Sequence, residues 1–91
     1  MYVIVNHNIA DPDTFWSMVP EKASNLPSHL RLHGVFPSKN NLRCICLWEA
    51  ENPEAVNKFL RDAFGDLSKD ELYEVNNEVA IGLPSALAHA N

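Results

Sequence analysis

Along the chain, apolar residues first alternate with polar ones and then recur at helical spacing, and this change of period happens twice. Residues 2–9 alternate and are rich in β-formers, which predicts a first strand. Asp11 suits an N-cap, Pro12 the first helical position and Asp13 the positive end of a helix dipole. Phe15, Val19, Ala23 and Leu26 then follow helical spacing, and Trp16 and Met18 widen the apolar stripe. Pro20 removes a backbone donor, so a kink or loss of regularity is expected between Trp16 and Pro20, with the helix ending near Leu26-Pro27. Residues 29–36 read as a second strand, Pro37 to Asn41 as a turn and Leu42 to Ala50 as a third strand. Asn52-Pro53-Glu54 opens a second helix with Val56, Phe59, Leu60, Ala63 and Phe64 on one face, and Gly65 supplies its stop. A fourth strand is expected at about Glu71 to Ile81.

The two halves match each other. Adding 41 carries Asp11-Pro12-Asp13 to Asn52-Pro53-Glu54, Phe15 to Val56, Val19 to Leu60 and Val3-Ile4-Val5 to Cys44-Ile45-Cys46. Two β-α-β halves in one small chain predict an α+β fold of ferredoxin-like βαββαβ type. Its four-stranded antiparallel sheet, in the order 4-1-3-2, carries both helices on one face. The expected domain spans residues 1–83, and the small-residue tail 84–91 is expected to be flexible or to pack on a neighbouring subunit.

Period-2 alternation then divides the strand residues between the faces. Val3, Val5 and His7, with Cys44, Cys46 and Trp48, Leu30, Leu32 and Phe36, and Tyr73, Val75 and Val79, are expected beneath the helices. The other face would carry Ile4, Val35, Ile45, Leu47 and Leu72 among polar residues that include His33, Glu49 and Glu74. That much apolar surface calls for a second sheet to cover it.

Composition narrows the partners. A length of 91 residues allows one modest core, for which oligomerisation would be a help. A net charge of −5 with seven unclustered Lys and Arg leaves no footprint for nucleic acid or an anionic membrane. The chain enters its first strand at Tyr2 without a leader pattern, which makes the cytoplasm the expected location. Cys44 and Cys46, two apart on one strand, are poorly placed to join each other and read as reduced, buried residues.

The segment Cys46-Leu47-Trp48-Glu49-Ala50-Glu51-Asn52-Pro53-Glu54-Ala55-Val56 resembles the strand-to-helix segment of small ferredoxin-like domains, some of them nickel-binding, in the dimeric α/β-barrel superfamily. The resemblance covers about residues 2–81 at the level of architecture. It implies a homodimer closed through the open sheet faces. The superfamily includes cofactor-free monooxygenases, lactone isomerases, stress-induced proteins, haem enzymes and metal binders, so the resemblance implies a dimer and a pocket and no particular reaction.

Two sites are candidates. The first is a ligand pocket between the kinked helix and the sheet, formed by His7, Trp16, Trp48 and Tyr73 and suited to a flat aromatic molecule with a carbonyl or hydroxyl. The second is a divalent metal site of His33, Glu49 and Glu74, suited to nickel or zinc. Because the turn sets His33 and Glu49 several residues apart in register, these donors are expected to meet across a dimer axis. Binding of a small aromatic ligand or a divalent metal is therefore the leading function. Its alternatives are a cofactor-free monooxygenase or isomerase acting on a small aromatic or lactone substrate, and a purely structural dimer, which a filled rather than an open space at His7, Trp16 and Trp48 would favour. No glycine-rich phosphate loop, G-x-S-x-G or H-E-x-x-H is present.

Overall fold

The computed structural model describes residues 1–84. Its elements are β1 (Tyr2–Ile9), α1 (Pro12–Ser24), β2 (Arg31–Pro37), β3 (Arg43–Glu49), α2 (Pro53–Phe64), a single 3-10 turn (Gly65–Leu67) and β4 (Ser68–Glu74). Every strand pairing is antiparallel. The sheet runs β2-β3-β1-β4, which is the order 4-1-3-2 counted from the opposite edge. The chain is thus α+β, with one four-stranded antiparallel sheet and two helices. No helix among the described residues is long and apolar enough to cross a membrane. Of the expected tail 84–91, all but Pro84 lies outside the described residues.

Both helices start where their caps dictate. Asp11 accepts the Thr14 amide at 3.2 Å and Asn52 accepts the Ala55 amide at 2.8 Å, each with a proline at the first helical position. The two helices then differ in how firmly they hold the sheet. From α2, Val56, Leu60 and Phe64 are buried, one turn apart, and Gly65 ends the helix at φ 55°, a conformation that costs a glycine little. From α1 only Phe15 is buried, and Trp16, Met18 and Val19 are half-covered. The α1 helix runs through Pro20 to Ser24, two residues short of Leu26, and ends where Asn25 turns its side-chain amide back to the Glu21 carbonyl.

The core is the inward face of β1 and β3. Val3, Val5 and His7 stand opposite Trp48, Cys46 and Cys44, and all six are buried, as the alternation predicts. The outer strands depart from expectation. In β2 the register shifts between Leu32 and Gly34, so that Leu32 still faces inward beside Trp48 while Val35 is opposite Cys46 and Phe36 is opposite Ile45. A β-bulge at His33 thus exchanges Val35 and Phe36 between the faces, and Phe36 is left 65% exposed on the open face. In β4 the strand begins at Ser68 and not at Glu71, because the 3-10 turn is the whole connection from α2. Leu72 stands inward opposite Val5, and Tyr73 stands outward opposite Ile4 and is 58% exposed. Its faces are therefore the reverse of those expected, and Val75 and Val79 lie beyond the strand altogether. The open face consequently carries Ile4, Phe36, Ile45, Leu47 and Tyr73.

Candidate functional site: a buried histidine and aspartate beneath the first helix

The reversed parity of β4 places a carboxylate where sequence alternation did not look for one. His7 on β1 has Cys44 of β3 on one side and Asp70 of β4 on the other, all on the inward face. His7 is 1% exposed, and its Nδ1 lies 2.6 Å from Asp70 Oδ1. Asp70 also accepts from Ser68 Oγ at 2.9 Å and from Arg61 Nη2. Arg61, in the last turn of α2, donates through Nη1 to the carbonyls of Gly65 at 2.7 Å and Ser68 at 3.2 Å. One guanidinium thereby ties the helix end, the turn and the carboxylate together.

Burial raises the pKa of Asp70, but the contacts from His7, then Ser68 and Arg61, outweigh it and hold the carboxyl below the usual carboxylate range. An ionised carboxylate only accepts, so Nδ1 of His7 donates to it and Nε2 is the nitrogen left for another partner. The arrangement is that of an oriented histidine, able to hold or take a proton at Nε2.

Above His7 the ring of Phe15 stands 5.8 Å away between centroids, stacked in turn on Phe64 at 4.6 Å. A groove between α1, α2 and the sheet is lined by His7, Trp16, Trp48, Cys44 and Cys46 together with aliphatic and aromatic neighbours. Its empty space, mouth included, is about 390 Å³, of which about 30 Å³ is wide enough for water. That is room for one or two water molecules and not for an aromatic ring. The open pocket expected beneath a kinked helix is therefore largely filled, with Phe15 and Trp48 both 3% exposed. One inconsistency remains within this filled space. The indole Nε1 of Trp48 is buried without a hydrogen-bond partner among the described residues, a costly condition for a donor.

His7, Trp16 and Trp48 are thus brought together at the groove, while Tyr73 is on the other face of the sheet. The Trp16 indole donates to the Asn41 carbonyl at 3.0 Å, fastening α1 to the β2–β3 turn. The metal set is divided as well. His33 Nε2 lies 2.8 Å from Glu49 Oε1 within one chain, because the β2 bulge and the register Arg31 to Glu49 bring the two to the same edge of the sheet. Glu74 is opposite Val3 on the far edge strand and on the inward side, so it cannot join them through the open face. Among the described residues no three His, Cys, Asp or Glu side chains stand close enough to hold a metal ion.

The residues that sequence reasoning missed are Ser68, Asp70 and Arg61. The signal for Ser68 and Asp70 is the run Ser68-Lys69-Asp70-Glu71-Leu72, which alternates but carries its only aliphatic third in the inward row. A polar inward row beside a buried histidine is the mark of a paired site.

No protein-family model, curated protein or solved structure matches this chain.

Proposed function

We propose that this protein captures small, flat, largely apolar molecules bearing a carbonyl or hydroxyl between α1 and the sheet, with Nε2 of His7 as the polar contact. The observation that carries this reading is the buried His7–Asp70 pair at 2.6 Å, aimed beneath a helix that buries only Phe15. A histidine sealed in a core for packing alone needs one hydrogen bond. Here its partner is itself braced by Ser68 and Arg61, which fixes the ring of a residue that lines the groove and leaves Nε2 for another partner. Trp48 Nε1, an orphan donor in the same lining, would be satisfied by a ligand oxygen. The ligand enters by lifting α1, since the closed groove admits only water.

The chain is further proposed to be a ferredoxin-like member of the dimeric α/β-barrel group that pairs through its open sheet face. The strand order and the exposed Phe36, Ile45 and Tyr73 support this. The same oriented histidine favours a second reading, a cofactor-free isomerase in which Nε2 moves a proton on the bound molecule. A nickel or zinc role rests on His33 and Glu49 alone within one chain and would need donors from elsewhere.

Titration with 2-naphthol tests the binding reading. Saturable quenching of tryptophan fluorescence is expected, weakened at least about tenfold in His7→Phe, a loss of about 1.4 kcal/mol, while the circular dichroism stays that of a folded domain. Equal binding by the two proteins would remove His7 from the site.

A further inference from the structure

The groove holds a second reactive group that the binding reading leaves unused. Cys44 stands directly opposite His7 on the neighbouring strand, on the same inward face, and both line the groove. Its Sγ is 3.7 Å from Sγ of Cys46, the only other cysteine. The Cys44 thiol rests against the Ile45 carbonyl at 3.7 Å, and since Asp70 occupies Nδ1 of His7, Nε2 is the ring nitrogen left for another partner. A thiol, an oriented imidazole and a carboxylate thus follow one another across β3, β1 and β4, held by backbone register and not by flexible loops.

Resting on the binding reading above, we infer that Cys44 is a nucleophile that adds to electrophilic members of the same ligand class, quinones and other α,β-unsaturated carbonyl compounds. The thiol proton passes to Nε2 of His7 and the thiolate sulfur forms a bond to the β-carbon of the ligand. The carbon–carbon π pair moves toward the carbonyl, and the proton held on His7 returns to the resulting enolate. The net change is addition of S–H across the double bond, so no oxidant or reductant enters. With a quinone, the proton on the ring carbon that has gained sulfur then moves to the second carbonyl oxygen, leaving a hydroquinone thioether on the protein.

Two further observations agree. The contact from Cys46 lowers the pKa of Cys44 to about 7 against burial, which raises it, and His7 adds a smaller lowering. Trp48, farther along the same inward row, lines the groove and keeps its buried indole donor without a partner among the described residues.

The test uses the full chain and equimolar 1,4-naphthoquinone, followed by intact mass and peptide mapping. The folded protein should gain one quinone, on Cys44, at least about tenfold faster than N-acetylcysteine at the same pH. His7→Gln should slow the reaction by about as much, and Asp70→Asn should slow it in a chain that keeps His7 should the first variant fail to fold. Labelling on Cys46, labelling only after unfolding, or a rate indifferent to both substitutions would overturn the inference. 2-Naphthol, which has no electrophilic carbon, reports on the binding reading separately: its binding without quinone addition would leave that reading standing and end this one.

Discussion

His7 Nδ1 and Asp70 Oδ1 lie 2.6 Å apart across the β1–β4 pairing, in a part of the core where both side chains are at most 2% exposed. A buried pair of this kind is stabilising only as long as both members stay. Removing one leaves the other uncompensated in a low-dielectric setting, so Asp70→Ala should cost roughly 3–5 kcal/mol, measured by urea unfolding. A cost under about 1 kcal/mol would show that water reaches the site freely.

The pair also sets an acid limit. Because the folded state holds the Asp70 pKa below its unfolded value, its contribution is fully present above the ordinary carboxylate range and is lost as pH falls through the folded value. The stability gap between the parent and Asp70→Asn should therefore shrink as pH falls below about 4. A gap that stays level down to pH ~3 would contradict the coupling.

The two helices should differ in mobility. Proline inside α1 and its single buried residue predict that α1 amides exchange with solvent faster than those of α2, which buries three. Native-state hydrogen exchange followed by peptide mass spectrometry measures this. Equal protection of the two helices would remove the opening route for a ligand.

The open sheet face should mediate association. Ile45 and Phe36 are paired across β2 and β3, and Tyr73 and Leu47 flank Ile4 across β1, so a charge placed at Ile45 interrupts one continuous apolar surface. Light scattering should give a dimer for the parent and a monomer for Ile45→Asp. A monomeric parent, or a dimer unaffected by the substitution, would rule out this face.

How far the sequence could be read depended on where period and register are set by local chemistry. The caps at Asp11 and Asn52, the stop at Gly65 and the inward rows of β1 and β3 follow from residues within a few positions of one another, and they were legible. The outer strands were not. In β2 a single bulged residue at His33 exchanges Val35 and Phe36 between faces, and alternation cannot announce an extra residue. In β4 the strand is mostly polar, so counting from its apolar residues drew it toward Val75 and Val79 and concealed Asp70. His7 and Trp48 could be placed at the site because the central strands are regular. Asp70, which determines what His7 can do, depends on the length of a three-residue turn. The groove's volume was equally hidden, since it depends on how Phe15 settles against Phe64.

If the groove captures the proposed ligand, its oxygen should enter between His7 and α1 and meet the indole of Trp48, which has no partner among the described residues. Nitrogen-15 NMR of the two indole groups during 2-naphthol addition measures this directly. Trp16 already donates to the Asn41 carbonyl, whereas Trp48 has no partner among the described residues. The Trp48 indole proton should move downfield and saturate together with the His7 ring nitrogens, and both shifts should be lost in His7→Phe. Saturable binding that leaves the Trp48 indole and the His7 ring unmoved would contradict capture in this groove.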